Sequence, residues 1–176
     1  MKIVIIGKGL MLANIILGAI DAGAEIVGVL RYEKTCTNPI KLWFEDFFRP
    51  NYELTLIRNL KLKQLNFKSA NSTNIKDFLI RENVDIVFVG TWREKLKKEI
   101  FDVPKIGTIN VHPSLLPKYR GPNPYMQTIL HGEKCSGVTL HLVDENFDTG
   151  AILSQKTVPI SDKDTSKELR ERTVLY

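Results

Sequence analysis

The stretch KIVIIGKGLMLANIILGAIDAGAEIVGVL (residues 2–30) decides the fold of this chain. It begins with a short apolar run, Lys2 to Ile6, that ends at a glycine, and a helix-like apolar segment follows from about Leu10 to Asp21. Gly23 stops the helix, and Glu25 to Leu30 is a second run rich in β-branched residues. Apolar strands that alternate with helices are typical of a parallel α/β sheet, and we predict that architecture here.

The rest of the chain continues the alternation of strands and helices. The clearest later strand is Asp85 to Gly90, and another apolar run leads to His112. Further strands are predicted over residues 61–67, 136–143 and 152–158, and helices over residues 72–81, 94–101, 124–131 and 165–176. The aromatic residues at positions 43, 44, 47 and 48 are interpreted as core contacts. We predict one domain over residues 1–176, a Rossmann-like, mostly parallel sheet flanked by helices. Because the last helix reaches Tyr176 without a stop signal, we expect a piece of a longer polypeptide.

Composition limits the classes of function. The content of 43% hydrophobic and 26% charged residues is ordinary for a globular protein, and 176 residues suffice for one sizeable core. No stretch approaches the roughly 20 consecutive apolar residues of a membrane span, and the N-terminus lacks a signal-peptide pattern. Cys36 and Cys135 are interpreted as free thiols in a reducing compartment, so we expect the protein in the cytoplasm. The net charge of +5 permits anionic partners without requiring them.

The turn after the first strand, Gly7-Lys8-Gly9, is similar to the start of a dinucleotide-binding loop. Such loops carry a third glycine, and an acidic residue ends the second strand, where it binds a ribose. Here position 12 is a leucine, and the second strand ends at Leu30 and Arg31. A tight strand-to-helix turn without a cofactor is therefore the favoured interpretation.

A second polar motif, NVHPSLLPKYRG at residues 110–121, indicates chemistry. Side chains two residues apart on a strand lie on the same side, so Asn110 and His112 converge if the strand runs through both. Pro113 then ends the strand, because it cannot donate to the ladder. An amide donor beside a titratable imidazole suits a reaction that develops negative charge on a carbonyl oxygen. The alternative is a hydrogen-bonded histidine at a strand end, with Asn110 as a turn residue.

Other polar residues favour the catalytic interpretation to different degrees. Asp148 lies in the connection between two predicted strands, where a carboxylate is able to orient or charge an imidazole. In the same connection, Gly150 is free to take a positive φ. His131 is predicted to cap the end of a helix. His141 alternates with apolar neighbours on its strand, so it faces either the site or a polar second layer.

These residues resemble those of the folate-dependent formyltransferases. The similarity covers about residues 85–160 and rests on separate motifs in the family's order, namely Asn110 to Gly121, Pro124, His131-Gly132-Glu133, Gly137 to His141, and Asp148-Thr149-Gly150 through Gln155. The family includes methionyl-tRNA formyltransferase, glycinamide ribonucleotide transformylase and the sugar N-formyltransferases. The resemblance implies the formyltransferase fold and transfer of a formyl group from formyltetrahydrofolate to a primary amine, and it implies no metal.

The resemblance also implies the roles of the matched residues. Asn110, His112 and Asp148 correspond to the family's catalytic asparagine, histidine and aspartate. Asn110 would donate a hydrogen bond to the oxyanion, and His112 would stabilise the same charge or pass the amine's proton to the departing folate nitrogen. Asp148 would favour the imidazolium and fix its position.

The substrate contacts follow from the same resemblance. The folate pocket would be lined by Val89, Gly90, Thr91, Trp92 and Leu96 from one segment, and by Val143, Asp144, Glu145 and Phe147 from another. Trp92 has the alternative role of a buried anchor. The acceptor amine would lie against Arg120, Gly121, Asn123 and Pro124.

Departures from individual members of the family guide the choice of acceptor. Glycinamide ribonucleotide transformylases carry a Ser-Asn phosphate loop after the first strand, whereas residues 9–12 here have no hydroxyl or amide side chain. Methionyl-tRNA formyltransferases tend to read WRGAAP, whereas residues 119–124 read YRGPNP, which is similar to the sugar-nucleotide enzymes. We expect an amino-sugar nucleotide as acceptor; the alternatives are methionyl-tRNA, hydrolysis of formyltetrahydrofolate, or a non-enzymatic nucleotide-binding regulatory module that would use residues 7–9.

Overall fold

Strands and helices alternate along the chain. The structure, a computed structural model, describes residues 1–31 and 52–174. The elements over those residues are β1 (Lys2–Gly7), α1 (Gly9–Asp21), β2 (Glu25–Arg31), α2 (Tyr52–Asn59), β3 (Gln64–Leu65), α3 (Thr73–Arg81), β4 (Ile86–Gly90), α4 (Lys98–Phe101), β5 (Gly107–His112), α5 (Pro124–Leu130), β6 (Cys135–Leu142), β7 (Ile152–Pro159) and α6 (Ser166–Val174). No helix within these ranges has the length and apolar content that crossing a bilayer requires. The predictions for Cys36, the aromatic residues at 43–48 and Tyr176 lie outside the described residues.

One sheet contains all seven of these strands, in the order β3-β2-β1-β4-β5-β6-β7. β1 to β5 pair in parallel, whereas β6 and β7 are antiparallel to their neighbours. The strand order reverses at β1, because the chain first builds outward through β2 and β3 and then returns to add β4 on the other side. The predicted Rossmann-like, mostly parallel sheet is confirmed, and the carboxyl ends of β1, β2, β4 and β5 share one edge.

The core lies on both faces of the parallel strands. Ile3 and Ile5 are completely buried on the face that α1 and α2 cover, whereas Val4 and Ile6 are completely buried on the face of α3 and α4. A strand buried on both faces needs an unbroken apolar run, which explains the sequence of β1. Each such side chain contributes roughly 1.5–3 kcal/mol by leaving water. This packing fixes the positions of the parallel strands, and with them the residues at their carboxyl ends.

The helix predicted over residues 94–101 is only one turn long, and that prediction was wrong for residues 94–97. Residues of the segment before α3 bind this stretch instead. Asn71 donates to the Lys95 carbonyl at 2.9 Å and accepts from the Lys97 N–H at 2.8 Å, and the Glu94 carboxylate accepts from the Ala70 N–H at 2.9 Å. These bonds keep residues 94–97 out of the helix, which begins only at Lys98.

Two further expectations are corrected. The strand predicted over residues 61–67 is limited to the two residues of β3, at the edge of the sheet. Gly150 does not take a positive φ; Asp148 does, at 54°. Gly150 is needed for a different reason, since a Cβ at this position would lie 1.8 Å from the Leu142 carbonyl oxygen. The connection between β6 and β7 thus turns at Asp148 and passes close to the end of β6 at Gly150.

Candidate active site

The last residues of β5 carry two polar side chains that reach the same carboxylate. Asn110 and His112 both contact Asp148, which lies in the connection between β6 and β7. The antiparallel strand β6 lies beside β5 and places His141 directly opposite Asn110. Asn110, His112 and Asp148, which the sequence analysis singled out, therefore lie together, and His141 is a fourth member of the cluster.

His112 is 5% exposed, and each of its ring nitrogens faces an oxygen. Nε2 lies 2.9 Å from the Tyr119 carbonyl oxygen, and Nδ1 lies 3.4 Å from Asp148 Oδ2. A carbonyl oxygen only accepts hydrogen bonds, so Nε2 carries the proton in the neutral ring. Nδ1 is then the nitrogen with a free lone pair, and it gains a partner in Asp148 when it takes up a second proton.

Asp148 connects the cluster to the loop after β5. Its Oδ2 accepts from the Gly121 N–H at 2.8 Å, and its Oδ1 accepts from Asn110 Nδ2 at 3.2 Å. The φ of 54° at Asp148 is a left-handed backbone conformation, which aspartate tolerates better than most residues. The carboxylate thus holds the end of β5, the loop at Gly121 and the β6–β7 connection in one place.

The amide of Asn110 has both of its hydrogens engaged. One is donated to Asp148 and the other to His141 Nε2, at 3.1 Å. His141 is able to accept because its Nδ1 lies 2.8 Å from the Leu142 carbonyl oxygen and therefore carries the ring proton. His141 fixes the plane of the Asn110 amide from the neighbouring strand.

The environment moves two pKa values in this cluster downward. Burial is the main cause of the lowered pKa of His112, and it outweighs the Tyr119 carbonyl and the Asp148 charge, which both favour the imidazolium. Burial alone would raise the pKa of Asp148, but contacts with His141 and the Gly121 N–H, together with the neighbouring imidazoles, hold that pKa below its usual value. At neutral pH the site therefore contains a neutral imidazole beside an ionised carboxylate.

The two segments assigned to the folate pocket meet beside this cluster. Val89 and Leu96 are buried in the core cluster of the α3 and α4 face, and Trp92 and Val143 pack against the same cluster. Gly90 contributes differently, because a Cβ there would lie 2.6 Å from the side chain of Ile15 in α1. The apolar residues of both segments therefore form one wall.

Polar and aromatic contacts join the exposed parts of the same two segments. Lys95 Nζ lies 5.5 Å from the ring centre of Phe147, which is 60% exposed, and Lys98 Nζ lies 3.2 Å from Glu145. Thr91 takes a left-handed φ of 58°. Within the second segment, Asp144 accepts hydrogen bonds from the Asn146 N–H and the Thr149 hydroxyl.

The residues assigned to the acceptor surround the loop between β5 and α5. Arg120 is exposed, Gly121 binds Asp148 through its N–H, and Asn123 has a left-handed φ of 56° just before Pro124 starts α5. Gly121 joins the cluster at Asp148 directly, whereas Arg120 and Asn123 are exposed. His131 is the C-cap of α5, as predicted, with Nδ1 2.8 Å from the Gln127 carbonyl oxygen.

Sequence reasoning left open the orientation of His141 and missed the Tyr119 carbonyl. The alternation of polar and apolar residues in β6 was the available signal for His141, and it fits a side chain that faces the site. A backbone carbonyl gives no signal in residue type. Within residues 1–31 and 52–174, no group of three or more His, Cys, Asp or Glu side chains is arranged to hold a metal ion.

Comparison with known proteins gives one consistent family. A family model described as formyl transferase matches residues 1–174. The chain is 43% identical over 117 residues to the bifunctional polymyxin resistance protein ArnA of Wigglesworthia glossinidia brevipalpis. The matched region covers 65% of this chain and 18% of that protein. It is 30% identical over 182 residues to the methionyl-tRNA formyltransferase of Thermotoga neapolitana. This match covers 99% of this chain and 54% of that protein. The chain thus spans about half the length of the relative that it matches almost throughout.

Solved structures share the fold. The glycinamide ribonucleotide transformylase 1 of Symbiobacterium toebii superposes with a TM-score of 0.79 at 23% identity, over 98% of this chain and 80% of that chain. A sugar N-formyltransferase from Shewanella sp FDAARGOS_354 superposes with a TM-score of 0.67 at 26% identity, over 99% of this chain and 63% of that chain.

Proposed function

Because this chain belongs to the formyl transferase family, we propose that it transfers a formyl group from formyltetrahydrofolate to a primary amine. One observation carries the proposal: Asp148 contacts both Asn110, at 3.2 Å, and His112, at 3.4 Å, at the carboxyl end of β5. The carboxyl ends of parallel strands are where α/β sheets bind their ligands. A donor, an imidazole and a carboxylate that meet at one point supply what an acyl transfer needs.

His112 moves the proton in the proposed reaction. The amine nitrogen bonds to the formyl carbon, the bond from that carbon to the folate nitrogen breaks, and one proton passes from the amine to the folate nitrogen. His112 Nδ1 takes up this proton, because the neutral ring has its lone pair there, and then donates it to the departing folate nitrogen. The Tyr119 carbonyl fixes the tautomer from the other side of the ring, at 2.9 Å from Nε2, and Asp148 stabilises the imidazolium that forms.

Asn110 stabilises the oxyanion that develops on the formyl oxygen. The amide donates a hydrogen bond that is stronger to the charged intermediate than to the neutral formyl group, which is the requirement for a catalytic contribution. Both amide hydrogens are engaged, with His141 and Asp148. The donor therefore exchanges one of these partners for the oxyanion, while the remaining bond keeps the amide plane in position.

The apolar wall next to Asn110 supports the assignment of the folate pocket. Val89 and Leu96 are buried in one core cluster, the half-buried Trp92 and Val143 pack against it, and polar groups of residues 143–147 follow directly in the chain. Small-molecule sites are mostly apolar with a few polar groups that set orientation. We propose that the pterin binds against this wall, between residues 89–96 and residues 143–147.

An amino sugar on a nucleotide is the proposed acceptor. The YRGPNP form of residues 119–124 and the similarity to a sugar N-formyltransferase support it. Arg120 is exposed beside the cluster and suits an acceptor that carries phosphate. Methionyl-tRNA is the second candidate, favoured by a methionyl-tRNA formyltransferase that is similar over 99% of this chain.

A folate-release assay tests the proposal. The chain is given formyltetrahydrofolate with amino-sugar nucleotides, with methionyl-tRNA, or with no acceptor, and a His112→Ala variant serves as the control. We expect release of tetrahydrofolate that depends on an amino-sugar nucleotide and disappears in the variant. Release with methionyl-tRNA alone would select the second candidate. Equal release without acceptor would identify a hydrolase, and a thermal shift with nucleotides but not with folates would contradict the folate reaction altogether.

A further inference from the structure

Tyr119 joins the catalytic cluster to the loop after β5. Its carbonyl oxygen lies 2.9 Å from His112 Nε2, and this contact decides which nitrogen of the neutral ring carries the proton. The backbone of Tyr119 has a left-handed φ of 57°, which is sterically unfavourable for a residue with a Cβ. Other contacts must therefore hold the Tyr119 carbonyl at the place where His112 meets it.

Two side chains of this loop donate to one carboxylate oxygen. The Tyr119 hydroxyl donates to Glu133 Oε1 at 2.7 Å, and Lys118 Nζ donates to the same oxygen at 3.0 Å. Glu133 follows the end of α5, where its N–H donates to the carbonyl oxygen of Thr128 at 3.2 Å. Thr128 is itself 1% exposed. The carboxylate therefore connects the loop at Lys118 and Tyr119 to the buried side of α5.

The charges of the three groups favour this arrangement. Hydrogen bonds from Tyr119 and Lys118 lower the pKa of Glu133, and the bond to Glu133 raises the pKa of each donor. Glu133 is thus ionised at neutral pH, while both donors keep their protons. The Lys118 side chain is 65% exposed, and an ion pair so open to water contributes little. The short bond from the Tyr119 hydroxyl is therefore the contact that matters for the position of Tyr119.

A buried hydroxyl holds the same part of the loop from the inside. Ser114 is completely buried; its Oγ donates to the Lys118 carbonyl at 2.7 Å and lies 3.4 Å from the Tyr119 carbonyl oxygen. One hydroxyl has one hydrogen, and the shorter distance assigns it to Lys118. Ser114 thus fixes the peptide between Lys118 and Tyr119, and Glu133 fixes the side chain of Tyr119.

We propose that Glu133 is a positioning residue of the formyl-transfer site. Through its bond to the Tyr119 hydroxyl, it holds the Tyr119 carbonyl against His112 Nε2. Nδ1 then remains the nitrogen without a proton, facing Asp148. Glu133 itself takes no part in the proton transfer. Its effect on turnover rests on the proposed function, whereas its effect on the His112 ring does not.

Nitrogen NMR of the His112 ring tests the proposal without folate or acceptor. In a neutral imidazole the protonated and unprotonated nitrogens have different chemical shifts, so the spectrum above neutral pH reports the ratio of the two tautomers. We expect the wild type to carry its proton on Nε2. In Glu133→Ala the carbonyl is held less firmly, and the ratio of the Nδ1–H to the Nε2–H form should rise at least about tenfold.

Two more variants separate the hydrogen bond from the charge of Glu133. Tyr119→Phe removes the hydroxyl and keeps the carboxylate, so it should change the tautomer ratio as Glu133→Ala does. Glu133→Gln removes the charge and keeps an acceptor oxygen, so it should retain the wild-type ratio. A change in Glu133→Gln as large as that in Glu133→Ala would assign the effect to charge and overturn the positioning role.

Asp162→Ala is the matched control. Asp162 accepts a hydrogen bond from Lys134 Nζ at 2.8 Å, in another ion pair at the surface. Its loss should leave the tautomer ratio of His112 unchanged. An equal change in Asp162→Ala would overturn the proposal, as would an unchanged ratio in both Glu133→Ala and Tyr119→Phe.

Turnover gives a second measurement. The kcat of Glu133→Ala should fall by roughly tenfold to a hundredfold with little change in KM, because misplacement of a catalytic group by about 1 Å can cost about 10² in rate. Glu133→Gln should recover most of this loss. A kcat of Glu133→Ala equal to that of the wild type would contradict the positioning role.

The two measurements distinguish this proposal from the proposed function. An inactive wild type whose tautomer ratio responds to Glu133→Ala would reject formyl transfer and support the positioning role. An active wild type whose ratio does not respond would support formyl transfer and overturn the positioning role. A wild-type His112 with its proton on Nδ1 would also overturn the proposal, and that measurement needs no variant that folds.

Discussion

The start of α1 and the end of β5 lie on one edge of the sheet, yet their polar groups are arranged in opposite ways. At α1, the Gly9 N–H and Arg31 both donate to Glu53, so hydrogens and acceptors match. At β5, both ring nitrogens of His112 face oxygens, although a neutral ring has only one N–H to give. In the first arrangement both contacts join a donor to an acceptor. In the second, His112 Nδ1 faces an oxygen without a proton to donate in the neutral ring. A nitrogen that is able to gain and lose a proton is what a proton-transfer site needs.

The backbone shows the same contrast. Left-handed φ angles occur in the loop after β5, at Tyr119, Gly121 and Asn123, and again at Asp148. Of these residues only Gly121 avoids the steric cost of this conformation. The turn after β1 uses a glycine, Gly9, at its left-handed position. Residues held in sparsely populated conformations concentrate at functional sites, which agrees with a catalytic role for the β5 end and a structural role for the α1 turn.

The largest effect is expected from His112→Ala. If the proton that His112 Nδ1 gains and loses is the catalytic one, turnover falls by roughly 10²–10⁴, the usual contribution of a general acid or base. Binding of a non-reactive folate analogue remains, because the apolar wall does not include His112. Steady-state folate release and equilibrium binding measure the two properties. His131→Ala, which changes the capping histidine of α5, is the control and should keep wild-type turnover. Unchanged turnover in His112→Ala would remove the contrast between the two regions.

Asn110→Ala is expected to have the next largest effect. Loss of one oxyanion donor lowers kcat by roughly 10²–10³, and KM changes little because the donor acts mainly on the transition state. The split between kcat and KM is the measurement that matters here. Asn74→Ala, an exposed amide on α3, is the matched control. A rise in KM with kcat preserved would assign Asn110 to ground-state binding, and the β5 cluster would then differ less from the one at α1.

Substitution of one glycine in each region tests how the two regions differ in their contribution to the free energy of unfolding. Gly150→Ala places a Cβ 1.8 Å from the Leu142 carbonyl oxygen, so we expect a loss of about 1–3 kcal/mol in the free energy of unfolding. Gly18→Ala, in α1, meets no atom within 4 Å and should stabilise by about 0.5–1 kcal/mol. Urea denaturation of both variants measures the difference. Equal effects of the two substitutions would show that the β6–β7 connection adjusts freely, contrary to its close approach to β6.

The smallest effect concerns the pH dependence of stability. The pKa of His112 is lowered in the folded protein from the ordinary value of 6.5, so the unfolded chain binds more protons below that pH. Stability therefore falls as the pH drops from about 6.5 towards the folded pKa, with a slope of at most about 1.4 kcal/mol per pH unit. Asp148 does not interfere in this window, because its lowered pKa acts only below 3.8. The denaturation midpoint between pH 7.5 and 5 should fall less in His112→Ala than in the wild type. An identical fall would place the titration elsewhere.

The parts of the fold that the sequence predicted well are those in which one pattern has one physical meaning. β1 and β4 are buried on both faces, so their apolar runs identify them without knowledge of their neighbours. The convergence of Asn110 and His112 follows from the two-residue period of a strand, and it needed only the correct strand end. Both inferences depend on local geometry alone.

The remaining features depend on contacts between distant segments. The position of His141 opposite Asn110 is set by the register between β5 and β6, which residue types do not reveal. Residues 94–97 have helical propensity, but bonds with Asn71 and Ala70 keep them outside the helix. Glu53 looks like an ordinary acidic residue in a first helical turn until the fold brings it to Gly9. In each case a side chain far away in sequence decides the local outcome.

The two hydrogen bonds of the Asn110 amide give the proposed reaction an order of events. In the resting site Asp148 holds one amide hydrogen, and the oxyanion must compete for it. When His112 Nδ1 takes up a proton, the imidazolium 3.4 Å away partly neutralises the negative charge of Asp148. The hydrogen bond from the Asn110 amide to Asp148 then weakens. The donor thus becomes free as negative charge builds on the formyl oxygen. In the proposed reaction the Asn110 amide is hydrogen-bonded to Asp148 while the substrate is in its ground state. It donates to the formyl oxygen only as the transition state forms.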